Sequence, residues 1–350
     1  MLSTTPMAFK DQLPGQNTKN YLRKQNMRAL QVSEFGSPEV LTVNQVEKPQ
    51  ISDGQLLIKV AYSGINLADT YIRKGAFPGL PTPPFTLGME GSGIIEEMGA
   101  NVSGYKKGQL VAFSASQSYA EYVVVDTNSS LEWEIAVPVS LSPLAASSIS
   151  MSARTAILLT QRLNNSAQKV LVHAGAGSVG SVLVQLLKAQ NHEVIALVGS
   201  DQKKEYVRSL GADRVLNYKH EDVQSIIESE YPDGLDAVFN ATGGNSIARD
   251  IDLLAINGHL IWFGFAESNQ APDIEAALQN AFMKSIKLEL FNGGTHSQQD
   301  NISAIKSIEN LILDGKIEIS SHHIYSLEEG VNAHRDLESG NTVGKLTLQI

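Results

Sequence analysis

Cysteine is absent from all 350 residues, and that absence removes disulfides, thiolate nucleophiles, iron–sulfur clusters and every cysteine-containing zinc site. Positive charge is also scarce: the net balance is −10, so no global basic field exists to hold nucleic acid or an anionic membrane. No apolar run reaches the ~18 residues of a membrane helix, and no charged-then-apolar signal segment is evident, so the expected setting is cytoplasmic. The eight histidines form no HExxH motif, and His322-His323 lies in an alternating segment without a partner cluster; no metal site is expected. Residues 1–26 lack apolar periodicity and set Lys10, Lys19, Arg23 and Lys24 against the single acid Asp11, which points to a disordered extension.

What is present is organised around Lys169 to Lys204. This stretch reads as a buried strand (Val170, Leu171, Val172), a glycine turn, an apolar helix and a second strand from Val194 to Val198, together a βαβ unit. The turn, Gly175-Ala176-Gly177-Ser178-Val179-Gly180, fits G-x-G-x-x-G in the context that gives the pattern meaning. Gly175 permits the tight turn, Gly177 lets the backbone approach a pyrophosphate, and Gly180 lets helix and strand pack closely. The helix N-terminus adds free N–H groups and a partial positive charge. A dinucleotide is the expected ligand.

Before this unit the pattern is short and strand-like, at Arg28–Val32, Leu41–Val46, Gln55–Tyr62, Gly93–Glu97, Gln109–Phe113 and Tyr119–Val125, punctuated by glycine and proline as in a small β-barrel. Ser142-Pro143 reads as a helix start, and a further helix is expected over Ala153–Leu163. After the glycine unit, strands at Val215–Tyr218, Leu235–Asn240, His259–Phe263 and Ile286–Phe291 alternate with helices at Val223–Ser229, Ile247–Ala255 and Ile274–Met283. Alternation at this spacing predicts a parallel sheet covered on both faces. A long helix (Ile302–Leu313), a strand through Ile324, a capping box of Ser326 with Glu329 and a last strand from Lys345 to Ile350 close the chain. This tail is expected to return to the first domain and to leave a ligand cleft between the two.

Six segments carry a resemblance: NLADTYIRKGAFPG (66–79), LGMEGSGIIEEMG (87–99), YKKGQLVAF (105–113), HAGAGSVG (173–180), LGADRVLNY (210–218) and LESGNTVGKLTL (337–348). In this order they resemble the medium-chain dehydrogenase/reductase superfamily, and within it the zinc-free quinone oxidoreductase branch that includes zeta-crystallin. The resemblance implies an α/β architecture in which a GroES-like β-barrel catalytic domain (27–151 and 292–350) is interrupted by a Rossmann doubly wound parallel-sheet domain (152–291). Zinc-dependent members of the superfamily use a cysteine and a His-Glu pair at the catalytic metal; here those positions read Ile65-Asn66 and Met89-Glu90, so Lewis-acid activation loses its device.

The resemblance also implies site residues. Asn66 and Tyr71 would face nicotinamide and substrate, donating hydrogen bonds where oxyanion character develops. From the residues alone, Asn66 reads as readily as an Asx-turn and Tyr71 as a packing aromatic, while Asp69 and Arg73 could form a local helix pair. Thr155 and Phe265 match positions around the nicotinamide and Lys345 the carboxy-terminal cofactor contact; Asn240, also expected beside the cofactor, departs from the pattern, standing where many relatives have aspartate.

Cofactor choice follows from the end of the second strand, where an NAD-preferring fold carries an acid and this chain has Gly199-Ser200. Lys203 and Lys204 offer charge for a 2′-phosphate, Ser200 a hydrogen bond, and Tyr218 resembles the tyrosine lining that pocket; Asp201 would oppose a phosphate if it pointed inward. Read as an ordinary solvated helix start, the lysines would carry no such meaning. NADPH is the expected cofactor. The expected activity is reduction of quinones or similar electron-poor α,β-unsaturated carbonyls, the alternatives being an enone or enoyl-thioester double-bond reductase or a non-catalytic NADPH-binding protein of crystallin-like or sensor type. A homodimer paired through strand 286–291 is expected by resemblance.

Overall fold

The computed structural model describes residues 25–77, 79–163, 168–319 and 323–350. Most of the amino-terminal segment read as a disordered extension, 1–24, and His322 lie outside the described residues.

Two β systems form the molecule. The central sheet has six parallel strands, in spatial order Arg214–Asn217, Glu193–Val198, Lys169–Val172, Leu235–Asn240, Leu254–Trp262 and Lys287–Leu290. Their nearly continuous Val, Ile and Leu character suits strands covered on both faces, and two separate cores flank the sheet: Val170, Val172 and Phe239 pack on one side, Leu171, Val238 and Leu260 on the other. The strand order reverses between Lys169–Val172 and Leu235–Asn240, which opens a crevice at their carboxyl ends. The second system is a seven-stranded sheet, mostly antiparallel, with a three-stranded sheet beside it; a bridge between Ala29 and Ala120 links them. Together they are the GroES-like domain beside a Rossmann-type sheet.

The carboxy-terminal strand Leu346–Gln349 does return to the first domain, pairing antiparallel with Tyr62–Ile65, so the adjoining residues Lys345 and Asn66 become neighbours although far apart in sequence. Ser142 caps the helix at Pro143 by accepting from the Ala145 N–H at 3.3 Å. Three local expectations shift. The helix expected from Ala153 is preceded by a π-helical turn, Ile149–Ala153, and runs as Arg154–Thr160. The helix expected to reach Ala255 ends at Asp252 because Leu254 already pairs with Leu235; the strand then kinks through a left-handed Asn257 (φ 61°), a pattern that reads locally as a turn. The strand Ile135–Pro138 gave no signal, being short and proline-terminated. Among the described residues no helix is long and apolar enough to cross a membrane.

Candidate active site

A cavity of about 1120 Å³ runs along the crevice between the two β systems. The glycine turn forms its floor, with Ala176, Gly177, Ser178, Val179 and Gly180 in the lining. A Cβ at position 180 would stand 2.2 Å from the Ala174 carbonyl oxygen, so only glycine lets the helix Gly180–Ala189 start this close to the turn. At position 177 the nearest atom to an added Cβ is 3.2 Å away, and the backbone lies bare to the cavity. That is a cradle suited to a pyrophosphate at a helix N-terminus. Gly175 itself lies beneath the lining, against Ala196.

At one end of the cavity sit Lys203 and Tyr218. The Lys203 ammonium donates to the Gly340 carbonyl at 2.6 Å, and burial, then Lys219, holds its pKa below the ordinary lysine value. Lys219 was not singled out in the sequence; it approaches Gly199 together with Tyr218 and adds a second cation to this corner. Asp201 faces away: its carboxylate accepts from Asn217 at 3.1 Å and lies 3.4 Å from Lys204. The expectation for Lys204 is corrected by the same geometry, since its ammonium pairs with Glu221 and does not line the cavity. Ser200 is also outside the lining, as the cap position of helix Asp201–Ser209.

At the other end, Asn66 ends the strand Gln55–Ile65 and precedes the helix Leu67–Arg73, where the Asp69 carboxylate accepts from its backbone N–H at 2.8 Å. The Asn66 side chain is therefore set by other groups. Its Oδ1 accepts from Lys345 Nζ at 2.7 Å and from Ser152 Oγ at 3.1 Å. An ammonium has only donors, so this contact fixes which end of the amide is the oxygen; the NH₂ group donates to the Met151 sulfur at 4.0 Å, and both residues line the cavity. Lys345 is thus corrected from a direct cofactor contact to a buried support, 2% exposed, which donates also to Ser152 at 2.9 Å and pairs with Glu90. The pairing needs Gly64, because an added Cβ there would stand 2.7 Å from Lys345 Cε and 2.8 Å from Glu90 Oε1. The second Glu90 oxygen accepts from the Met151 N–H at 2.9 Å. Glu90, the residue left from the superfamily's His-Glu position, is held by a lysine and by the π-helical turn.

Tyr71 lines the cavity, stacked on Phe265 at 5.0 Å and edge-on to Phe77 at 6.1 Å. Its hydroxyl donates to the Phe265 carbonyl oxygen at 3.0 Å, bridging the two domains. Tyr71 is therefore a wall and a latch in this state, not a free donor. Burial, then Glu338, raises its pKa above the ordinary phenol value. Thr155 and Phe265 are in the lining. Asn240 is not: it is fully buried, accepts from the Thr242 and Gly243 N–H groups at 2.9 and 2.8 Å, and donates to Ser246 and Asp250, so it shapes the turn beneath the cavity. Arg73 does not pair with Asp69; it donates to His334 and Glu338, while Asp69 accepts from Tyr119 at 2.9 Å.

Sequence reasoning missed Ser152 and Arg154, both in the lining. The available signal was an arginine inside the otherwise apolar and small run SISMSARTAILL. Among the described residues no group of three or more His, Asp or Glu side chains is placed to hold a metal.

Comparison with known proteins is consistent with this layout. Residues 52–135 match the alcohol dehydrogenase GroES-like domain and residues 178–310 match the zinc-binding dehydrogenase family. The chain is 36% identical over 227 residues to prostaglandin reductase-3 of Mus musculus, a match covering 64% of this chain and 59% of that protein, so it spans well under two thirds of that relative. It is 30% identical over 327 residues to quinone oxidoreductase of Rattus norvegicus, covering 92% of this chain and 97% of the relative. Among solved structures, a mycobacterial protein complexed with NADPH superposes with a TM-score of 0.84 at 29% identity, over 93% of this chain and 100% of the other.

Proposed function

Since the chain belongs to the quinone oxidoreductase branch of the medium-chain dehydrogenase/reductase superfamily, we propose that it is an NADPH-dependent reductase of quinones or similar electron-poor α,β-unsaturated carbonyls that works without zinc. The observation that carries this reading is the Asn66 amide, fixed by Lys345 as a donor on the cavity wall. NADPH, when bound, supplies the hydride. The glycine turn would hold its pyrophosphate, and Lys203, Lys219 and Tyr218 its 2′-phosphate, with the mycobacterial NADPH complex in support. Asn66 donates to the substrate oxygen as negative charge develops there, and because its amide is already oriented, no reorganisation accompanies the step. Tyr71, Phe77 and Phe265 form an apolar wall that suits a flat conjugated substrate and limits water.

The test is oxidation of NADPH with a quinone and with an enone side by side. Asn66→Ala should lower kcat/KM by about 10²- to 10³-fold, as loss of an oxyanion donor does, with NADPH affinity retained. NADPH binding with no turnover of either substrate would replace this reading by a sensor or crystallin-like one. Double-bond reduction of an enone is the second reading, favoured by the 36% identity to prostaglandin reductase-3. A homodimer is proposed through the edge strand Lys287–Leu290, which leaves Leu290 74% exposed near Phe282 and Met283 at 81% and 84%.

A further inference from the structure

Arg154 is a buried ionisable group that the proposed reaction does not use. It is 2% exposed and stands in the cavity lining at the start of the helix Arg154–Thr160. Nε and Nη1 are sealed from solvent with no hydrogen-bond partner, and among the described residues no carboxylate pairs with the guanidinium. Glu90, the acid that influences it electrostatically, is already held by Lys345 and the Met151 N–H. Burial lowers the Arg154 pKa to about 10, with Glu90 opposing, so the group remains a cation at neutral pH. An unpaired buried cation is strongly unfavourable and persists where an anion arrives to complete it.

We propose that Arg154 is a specificity determinant that binds the carboxylate of an acidic substrate, so that the preferred substrates are quinones or enones carrying a carboxylate side chain. This rests on the reductase reading above. The cofactor's own anions would have other partners: the glycine turn for the pyrophosphate, and Lys203 and Tyr218, with Lys219 beside Gly199, for the 2′-phosphate. Arg154 shares its end of the cavity with Met151 and Ser152 of the π-helical turn, the same turn that supports Asn66. A guanidinium donates strong charge-assisted hydrogen bonds to a carboxylate. A carboxylate there would tether the substrate while Asn66 addresses the carbonyl oxygen, so that orientation comes from two polar contacts on one conjugated frame.

The experiment compares a para-benzoquinone bearing a propionate side chain with the methyl ester of the same compound, since esterification removes the charge and leaves the ring's reactivity nearly the same. In the wild type the acid should be preferred in kcat/KM by about 10- to 100-fold, the range for a charge-assisted contact. Arg154→Met should bring the acid-to-ester ratio close to one, and Arg154→Lys should leave an intermediate ratio. NADPH affinity, read by fluorescence titration, should stay within about 2-fold of wild type. Thermal stability gives the readout a structural arginine would fail: removing an unpaired buried charge should leave the midpoint of Arg154→Met unchanged or raise it. No acid preference in the wild type, an unchanged ratio in Arg154→Met, a lowered midpoint, or a 10-fold loss of NADPH affinity would each overturn the assignment. If neither quinone is reduced, the reductase reading fails by itself; calorimetric titration of the protein with acid and ester, oxidised cofactor present, still decides whether Arg154 selects the carboxylate.

Discussion

Replacing Lys345 by methionine separates two roles that one side chain performs. Lys345 and Glu90 are 2% and 0% exposed, and the ammonium also holds Asn66 Oδ1 at 2.7 Å and Ser152 Oγ at 2.9 Å. Methionine fills similar volume but leaves the Glu90 carboxylate without its cation, and breaking a buried pair in this way costs about 3–5 kcal/mol. Against a typical total of about 5–15 kcal/mol that is a large loss, and the thermal midpoint should fall by roughly 10 °C. The rate should fall for a different reason. Without the ammonium the Asn66 amide keeps the Ser152 contact, but a hydroxyl can accept as well as donate and so does not fix which end of the amide faces it; kcat/KM should drop by at least about 10-fold, toward the 10² of a lost donor. The double variant Lys345→Met/Glu90→Gln removes the stranded charge and should recover most of the midpoint, but it cannot restore the amide's orientation, so its rate should stay low. Thermal unfolding by circular dichroism and steady-state NADPH oxidation read the two quantities independently. A single variant that melts with the wild type would refute the buried pair, and a double variant that regains rate together with stability would refute the claim that Lys345 acts through Asn66.

Lys203→Ala should weaken NADPH by roughly 10- to 100-fold and leave NADH nearly unchanged, as removal of one charge-assisted phosphate contact predicts; equal loss for both cofactors in fluorescence titrations would count against the 2′-phosphate corner. Gly180→Ala forces a Cβ to 2.2 Å from the Ala174 carbonyl oxygen, so the turn must open and both cofactor affinity and thermal midpoint should fall. Burial raises Asp69 from its ordinary 3.8 to about 7, with Asn66 and Tyr119 offsetting part of the shift. The folded state therefore favours the protonated acid: its contribution is complete below about pH 4 and is lost as pH rises to 7, by up to about 1.4 kcal/mol per pH unit, and Asp69→Asn should flatten that slope in urea titrations at each pH. Sedimentation should find a dimer, and Leu290→Lys should shift it toward monomer; a wild-type monomer would refute the edge-strand pairing.

Local sequence carried the parts of the site whose chemistry is local. The glycine turn could be read because its tightest steric demand is local, Gly180 against Ala174, although Gly175 packs on the more distant Ala196. The register of distant strands could not. Lys345 matched a cofactor-contact motif, yet pairing of Leu346 with Ile65 sets it beside Asn66, and pairing of Gly64 with Glu90 brings the carboxylate to the same point. Helix phase hid a second distinction: Lys203 and Lys204 are consecutive, but about 100° of rotation per residue turns the first into the cavity and the second to Glu221. Arg154 had no motif at all, because its meaning depends on the lack of a partner, which only the packed structure reveals.

The charges around Glu90 link the proposed chemistry to the choice of substrate. One carboxylate faces one ammonium at contact distance and one guanidinium that it influences without pairing, so this corner of the cavity carries an excess positive charge. Asp69, with a pKa of about 7, cancels it only in part at neutral pH. In a low-dielectric cleft such an excess favours an anion more strongly than it would in water. The proposed donor to the developing oxyanion is the Asn66 amide oriented by Lys345, and the uncompensated guanidinium is left for an anion of the substrate. The same excess makes an acidic substrate the better fit, since its carboxylate neutralises Arg154 before hydride transfer and leaves the Asn66 donor for the oxygen whose charge is still to form.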